Sequence, residues 1–232
     1  MRIAGVYLAA GAGRRMNGAK LTAELLPGVP LGAVALKALL AVGLDAAYIV
    51  VRPGDPLDWL PEPVRVGALR RKGAREAGRS EGEAAIPRTK AEVVVCADAG
   101  RGMAHSLRCG VGCAMSDGCD AAVVVLADQP FVTAGMMRGL VDCWRSDPRL
   151  DYVASGDGGA IMPPVLLAGA TFQDVARLEG DRGAKRLLER PDWAGRVIPA
   201  EEPERLMDVD TPDLMERARR YSRGHCVRLN DI

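Results

Sequence analysis

The sequence has 232 residues and a formal net charge of +1 at pH 7, because 31 Lys and Arg residues almost balance 30 Asp and Glu residues. This balance argues against a general nucleic-acid or membrane-surface binder, so any phosphate recognition should be local. Hydrophobic residues make up 48% of the chain but aromatic residues only 4%, which predicts an α/β core built mainly from Val, Leu, Ala and Ile. No linker divides the chain, and we expect one domain.

The N-terminus and the cysteines predict a cytoplasmic protein. Met1-Arg2 leads directly into a short apolar strand, without the apolar segment of a signal peptide, and no apolar run is long enough to span a membrane. Six cysteines in such a chain are more simply reduced thiols than a disulfide framework. Cys109 and Cys113 have the i, i+4 spacing of two metal ligands on a helix, but no nearby histidine pair completes a zinc set.

The first predicted strand, residues 3–10, leads into a glycine-rich, cationic turn. The strand is apolar without alternation, as in a buried parallel strand, and it stops at Gly11 and Gly13, which allow conformations that other residues avoid. Successive N–H groups can then point at an anion, while Arg15 and Lys20 add a planar fork and a flexible point charge. This combination favours a loop that holds a nucleoside triphosphate; the alternative is a plain strand-to-helix turn with surface cations.

Two common phosphate-binding motifs do not match this loop. A Walker A motif needs Gly-Lys followed by Ser or Thr, whereas Gly18 is followed here by Ala-Lys-Leu. A dinucleotide-binding motif needs a third glycine soon after Gly-x-Gly, whereas Gly13 is followed by Arg-Arg-Met. The loop therefore belongs to neither of these classes.

The segments after the loop predict a parallel crossover. Residues 31–42 have the pattern of an apolar helix that Gly43 ends, and residues 46–51 that of a second strand. This order places the glycine loop at the carboxyl edge of the sheet, where open α/β sheets bind ligands. The proline-rich residues 52–63 around Trp59 predict an exposed excursion. The basic residues 65–90 are either a flap that steers anions or, as the lack of aromatic residues favours, a solvated insertion.

A third strand is predicted at residues 93–96, followed by a glycine-containing turn and a helix over residues 104–115. The N-terminus of this helix, with Ser106 in its first turn, offers N–H groups to a base or a phosphate at the same sheet edge. His105 is compatible with a general base, although such a histidine is more often a neutral hydrogen-bonding or packing residue.

Asp128 follows residues 121–126, the clearest buried strand of the sequence. A carboxylate at the carboxyl end of a central strand, facing the glycine loop, is well placed to hold a Mg²⁺ ion that bridges phosphates. The alternative is an N-cap or turn aspartate, but Thr133 already has the position of the cap of the next helix. The pattern therefore favours a metal ligand.

The last third of the chain is less regular, with short strands predicted at residues 152–154 and 165–167. Residues 180–185 precede a short predicted helix at residues 186–189, so amides and cations there can receive an anionic acceptor. Asp208 and Asp210 precede a helix that Thr211 caps and Pro212 starts. Either carboxylate can complete the magnesium site.

In this order the motifs resemble those of the MobA-like nucleotidyltransferase family, and most of all molybdenum cofactor cytidylyltransferases and accessory proteins of xanthine dehydrogenase maturation. The matching segments are residues 8–20, 102–108, 128–130, 163–166, 180–184 and 208–212. The resemblance implies a Rossmann-like, three-layer α/β/α fold with a mostly parallel central sheet, of the nucleotide-diphospho-sugar transferase type. It also implies a single nucleotidyltransferase domain over residues 1–232, with a nucleotide-binding half at about 1–150 and an acceptor-binding half at about 151–232.

The resemblance also implies a role for each matching site residue. Those implied to bind the nucleotide are Leu8, Ala9, Ala10, Gly11, Gly13, Arg15, Lys20, Ser106 and Leu107. Those implied to act in catalysis are Arg15, Lys20 and Asp128. The implied metal ligands, with Mg²⁺ as the cofactor, are Asp128 and Asp210. Those implied to bind the acceptor are Gly180, Asp181, Arg182 and Gly183.

The reaction implied by the resemblance is attack by the terminal phosphate of molybdopterin, carrying its metal, on the α-phosphorus of CTP. It releases pyrophosphate and forms the cytosine dinucleotide cofactor. A phosphate nucleophile is already ionised, so such a site needs positioning and charge neutralisation more than a strong base. The implied partners are CTP or GTP, molybdopterin and, transiently, a molybdenum hydroxylase such as xanthine dehydrogenase. Guanylyl transfer, another small phosphate acceptor and a non-catalytic molybdenum cofactor chaperone remain as alternatives.

Overall fold

The computed structural model describes residues 1–11, 13–16, 18–62, 64–65, 89–180 and 185–224. The strands are β1 (Ile3–Leu8), β2 (Glu24–Leu26), β3 (Val29–Pro30), β4 (Ala46–Val51), β5 (Lys90–Val95), β6 (Ala121–Leu126), β7 (Tyr152–Asp157), β8 (Ala160–Ala168) and β9 (Gly195–Pro199). The α-helices are α1 (Leu31–Leu40), α2 (Met103–Ser116), α3 (Ala134–Ser146), α4 (Phe172–Ala176), α5 (Lys185–Leu188) and α6 (Pro212–Gly224).

Seven of these strands form one sheet in the order β5-β4-β1-β6-β8-β7-β9. All neighbours pair in parallel except β8, which is antiparallel to both β6 and β7. In the centre, Leu8 of β1 lies opposite Val50 of β4 and Leu126 of β6. The segments that follow these three strands therefore leave the sheet side by side, at its carboxyl edge.

Helices cover both faces of the central strands, which explains why these strands are apolar throughout. Tyr7 of β1 packs in one core cluster with residues of α1 and α3, whereas Val6 packs in another with residues of α2. Gly110 lets α2 approach β1 closely, because an added Cβ there would lie 2.4 Å from Val6 Cγ1. The predicted three-layer fold with a mostly parallel sheet is confirmed.

The predicted elements agree best with the structure where the chain is buried. The strands at residues 46–51 and 121–126 match β4 and β6, and the helix at residues 104–115 is α2 with one more residue at each end. Thr133 caps α3 as predicted, with its hydroxyl oxygen accepting from the Met136 N–H at 3.2 Å. β1 ends at Leu8 rather than at residue 10, while β5, β7 and β8 are longer than predicted. The short elements β2, β3, α4 and β9 were not predicted.

The prediction of an exposed excursion at residues 52–63 is wrong. Trp59 is only 1% exposed, and Leu57 and Leu60 are also buried. The tryptophan ring lies over Gly32 of α1, where an added Cβ would be 2.8 Å from Trp59 Cε3. The prolines prevent a regular element, but the apolar side chains between them still pack onto the core.

Residues 66–88, most of the basic segment, lie outside the described residues. Within the described ranges, every helix is too short or too polar to cross a lipid bilayer. The seven-stranded sheet contains strands from both predicted halves of the chain, and the division of function between those halves remains a prediction.

Candidate active site

A cleft of about 580 Å³ opens at the carboxyl edge of the sheet, next to the N-terminus of α2. Its walls are the ends of β1 and β6, the glycine loop (residues 9–20) and residues 99–103. The predicted site residues that line it are Leu8, Ala9, Ala10, Gly11, Gly13, Arg15, Lys20, Ser106 and Asp128. The structure therefore brings the glycine loop, the helix N-terminus and Asp128, one of the two predicted metal ligands, into one cleft. Asp210, the other, is not among the residues that line it.

The glycine loop folds back on itself through backbone hydrogen bonds. The Ala9 N–H donates to the Val50 carbonyl at 2.8 Å, which continues the β1–β4 pairing into the loop. The N–H of Gly18 donates to the Gly13 carbonyl at 3.1 Å, and both glycines have positive φ, +77° and +55°. Residues with a Cβ avoid this conformation, so the two glycines allow the tight return that brings Lys20 beside Gly13.

Lys20 joins the loop to two predicted metal ligands. Its Nζ donates to Asp128 Oδ2 at 2.6 Å and to Asp210 Oδ1 at 2.5 Å, and its side chain is only 11% exposed. Burial alone would lower the pKa of the Lys20 ammonium, but the charges of the two carboxylates and the hydrogen bonds to them raise it above its ordinary value. Lys20 is therefore held as a cation between Asp128 and Asp210.

Asp208 adds a third carboxyl group next to this pair. Burial, followed by the charges of Asp128 and Asp210, raises its pKa to about 6, against a hydrogen bond from Gln129 and the charge of Lys20, which lower it. Asp208 Oδ1 is buried and has no hydrogen-bond partner among the described residues. The carboxyl groups around Lys20 thus retain unsatisfied acceptor capacity.

The oxygen donors here have the chemistry that a hard divalent cation requires. Asp128 and Asp210 are bridged by Lys20, and within the described ranges no three Asp, Glu, His or Cys side chains are arranged to hold a metal. Mg²⁺ in phosphate-handling sites is commonly bound by one or two carboxylates together with substrate phosphates. The residues fit such a shared site, in which phosphate oxygens and protein carboxylates both contribute ligands.

Further cations surround the cleft. Arg15 is mostly exposed, with Nη1 3.8 Å from Asp210 Oδ2. Arg52 and Arg101 also line the cleft, although the sequence analysis assigned neither to the site. Arg52 was detectable in principle, because it immediately follows a strand predicted to end at the same sheet edge.

The N-terminus of α2 forms the opposite wall. Gly102, at φ +128°, occupies its N-cap position, and no side chain of the described residues caps the helix. The Ala104 N–H donates to the Gly180 carbonyl at 3.2 Å, so the predicted acceptor turn begins beside this wall. The other predicted acceptor residues, Asp181, Arg182 and Gly183, lie outside the described residues.

Some candidate residues lie away from the cleft. The side chain of Leu107 is buried in the core beneath α2 and does not line the cleft. His105 instead lines a separate hollow of about 470 Å³ with Asp98 and Arg108. This placement gives no support to His105 as a general base in the cleft.

Cys109 and Cys113, which have the spacing of two metal ligands, lie among other thiols and apolar side chains. Cys109 lies next to the buried Cys96, and burial, followed by a hydrogen bond with Cys96, raises the pKa of its thiol to about 12. Burial likewise raises the pKa of the Cys113 thiol. Both are free thiols, as are the other cysteines within the described ranges. Within the described ranges, no further His, Cys, Asp or Glu side chain completes a metal-binding group with them.

Comparison with known proteins extends these observations. A family model of the MobA-like NTP transferase domain matches residues 5–195. The purine catabolism protein PucB of Bacillus subtilis (strain 168) is 33% identical over 218 residues, which cover 93% of this chain and 95% of PucB.

Solved structures share the fold at lower identity. The Rv0371c homologue from Mycobacterium sp. strain JC1 has a TM-score of 0.71 and 22% identity, and the match covers 97% of this chain and 100% of that chain. Rv0371c from Mycobacterium tuberculosis H37Rv, in complex with manganese, has a TM-score of 0.62 and 22% identity over 95% of this chain and 99% of that chain. With its fold, cleft and sequence in agreement, the chain belongs to the MobA-like nucleotidyltransferases.

Proposed function

We propose that this protein transfers CMP from CTP to the terminal phosphate of molybdopterin and releases pyrophosphate. The observation that carries the proposal is the position of Lys20, which lines the cleft with Asp128 and links the glycine loop to both Asp128 and Asp210. A cation held by two carboxylates beside a glycine loop is suited to receive a triphosphate. The reaction takes place in the cytoplasm in this proposal.

Each part of the cleft has a separate task in the proposed reaction. The amides of the glycine loop and of the N-terminus of α2 bind phosphate oxygens. Arg15 and Lys20 neutralise charge on the triphosphate, and Asp128 and Asp210 hold a divalent cation, which we take to be Mg²⁺. When bound, such a cation polarises the phosphate that is attacked and stabilises the charge of the leaving pyrophosphate. A solved relative of the same fold was determined in complex with manganese, which supports a divalent cation.

The nucleophile needs no general base from the protein. A phosphate monoester is largely ionised at neutral pH, so the cleft has to align it with the α-phosphorus and offset the charge of both reactants. We place the acceptor beyond Asp128, near the turn that begins at Gly180. No covalent enzyme intermediate forms in this scheme.

Similarity to known proteins supports the proposed acceptor and the enzyme that receives the product. The relative PucB is named for purine catabolism. The resemblance of the motifs to accessory proteins of xanthine dehydrogenase maturation implies a molybdenum hydroxylase as the recipient. We therefore propose that the product is delivered to such a hydroxylase.

The proposal is tested by pyrophosphate release from purified protein with Mg²⁺, molybdopterin carrying molybdenum, and either CTP or GTP. We expect release with CTP to exceed release with GTP. The opposite preference would assign the protein to guanylyl transfer, and release with another phosphate acceptor but not with molybdopterin would reassign the substrate. Cofactor delivery that persists in Asp128→Ala without any pyrophosphate release would instead support a chaperone.

A further inference from the structure

We infer that Arg52 is a positioning residue for the glycine loop, and that its contact with Gly18 sets this loop for binding a nucleoside triphosphate. The inference rests on the proposed function, because it concerns how the same cleft receives its nucleotide. Arg52 is the first residue after β4, which pairs in parallel with β1. Its side chain therefore emerges beside the start of the loop and lines the cleft together with Arg15 and Lys20.

The contact with the loop is made at its returning turn. Arg52 Nη2 donates to the Gly18 carbonyl at 3.1 Å. Gly18 has a φ of +77° and stands two residues before Lys20. A hydrogen bond from a charged donor is stronger than one between neutral groups. Arg52 thus holds the chain at the point from which Lys20 is directed toward its carboxylate partners.

Asp55 forms an ion pair with the guanidinium group of Arg52. Its Oδ2 lies 3.9 Å from Arg52 Nε, and the carboxylate is only 6% exposed. Its Oδ1 accepts from the Leu57 N–H and from the indole Nε1 of Trp59, each at 3.0 Å. A buried carboxylate with these donors in place has little freedom to move. Arg52 is therefore oriented by a partner that is itself fixed.

The contacts of Arg52 and Asp55 continue through Trp59 into the hydrophobic core. Trp59 is buried against Gly32, and its ring centroid lies 6.2 Å from that of Tyr7 in β1. Leu57, between Asp55 and Trp59, has a φ of +64°, which is unusual for a residue with a branched side chain. Such backbone persists only where the surrounding contacts hold it. A continuous set of contacts thus connects the buried indole to the glycine loop through Asp55 and Arg52.

The test compares nucleotide affinity by calorimetry, with CTP and Mg²⁺ as the probe. We expect Arg52→Gln to weaken binding about tenfold, because the loop loses a charge-assisted hydrogen bond. Arg138→Gln is the matched control, since Arg138 Nη1 also donates to a backbone carbonyl, that of Ala41 at 3.0 Å, but outside the cleft. It should change the affinity by less than about twofold.

The variant Asp55→Asn distinguishes a positioning role of Arg52 from a role of Arg52 as a positive charge alone. Asparagine keeps an oxygen that can accept from Leu57 and Trp59 but removes the partner charge of Arg52. If Arg52 positions the loop, this variant weakens CTP binding severalfold. If Arg52 acted only as a positive charge, removal of a competing acid would strengthen binding, and that result would overturn the inference.

The contacts that connect Trp59 to the glycine loop can also be followed by spectroscopy. The chain has three tryptophans, and in protein labelled with fluorotryptophan the Trp59 ¹⁹F signal is identified by its absence in Trp59→Phe. We expect saturating CTP with Mg²⁺ to shift this signal in the wild type but not in Arg52→Gln. Equal affinity of wild type and Arg52→Gln would refute the inference alone. A wild type that binds no nucleoside triphosphate would refute the proposed function together with it.

Discussion

The two sectors of the sheet contribute to the cleft in different ways. In the parallel sector (β1, β4, β5 and β6), the segments that follow β1, β4 and β6 carry the glycine loop, Arg52 and Asp128. In the hairpin sector (β7, β8 and β9), none of the strands provides a lining residue to the described part of the cleft. The C-terminal region reaches the site instead through residues 207–210, whose Val209 N–H donates to the Asp128 carbonyl at 2.9 Å.

This difference shows which part of the fold supplies which groups of the site. The parallel strands bring their following loops to one edge, so a nucleotide cleft arises from their topology. The C-terminal loop then adds Asp208 and Asp210 to the carboxylate already present at Asp128. We expect substitutions of the site residues in the parallel sector, and of Asp210, to abolish the function, and substitution of Asp208 to adjust it.

Asp128→Asn should have the largest effect, because it removes the carboxylate that the parallel sector supplies. We expect kcat/KM for pyrophosphate release to fall by about 10³-fold, in line with the loss of a metal ligand or a charge-stabilising group. The matched control is Asp142→Asn, on the exposed side of α3. A loss of less than tenfold would show that Asp210 or Asp208 carries the metal without it.

Lys20→Gln is expected to weaken the binding of CTP and to strengthen the binding of Mn²⁺. Binding of CTP should weaken by about 10²-fold, because the triphosphate loses its least exposed cation. Binding of Mn²⁺ without nucleotide, followed by electron paramagnetic resonance, should instead become tighter, since Asp128 and Asp210 no longer share an ammonium group. Unchanged Mn²⁺ affinity would contradict the placement of the metal between these carboxylates.

Gly110→Ala tests whether the close approach of α2 to β1 matters to the parallel sector. The added methyl group would overlap Val6, and we expect a loss of about 2 kcal/mol in the free energy of unfolding. Gly112→Ala, two residues further along the helix, meets nothing within 4 Å. It should be neutral or stabilising by up to about 1 kcal/mol, because alanine favours the helix. Urea unfolding of both variants measures the difference.

Asp208→Asn should give the smallest effect, and one that depends on pH. The folded state raises the pKa of Asp208 to about 6 from 3.8. The contribution of protonated Asp208 to the free energy of unfolding is fully present below pH 3.8 and is lost as the pH rises through 6. At pH 7.5 the neutral variant should therefore be more stable than the wild type, by about 1 kcal/mol after allowance for partial exposure. This advantage should disappear by pH 4, as measured by denaturant unfolding across the range.

The parallel sector was largely predictable from the sequence. The segments of β4 and β6 are apolar at every position because both of their faces are buried, and this pattern is not easily mistaken for another. β9 was missed for the converse reason. Its Gly-Arg-Val-Ile-Pro sequence is mostly exposed at the edge of the sheet and carries no hydrophobic period.

Within the site, the sequence predicted positions better than contacts. Topology alone brings Lys20 and Asp128 to one edge, but the two residues are 108 positions apart, and their ion pair depends on how the loop folds back. The raised pKa of Asp208 and the location of Leu107 in the core likewise depend on packing. Trp59 was misplaced because proline content indicates irregular backbone and carries no information about burial.

The uneven exposure of the cleft cations has a consequence for ionic strength. Arg15 and Arg101 extend into solvent, with side chains 72% and 70% exposed, so dissolved salt screens their attraction for an approaching nucleotide. Lys20 makes its short contacts where salt has little access. Added salt should therefore slow the capture of CTP while leaving the architecture around Lys20 intact, so that association rates, rather than dissociation rates, carry the salt dependence.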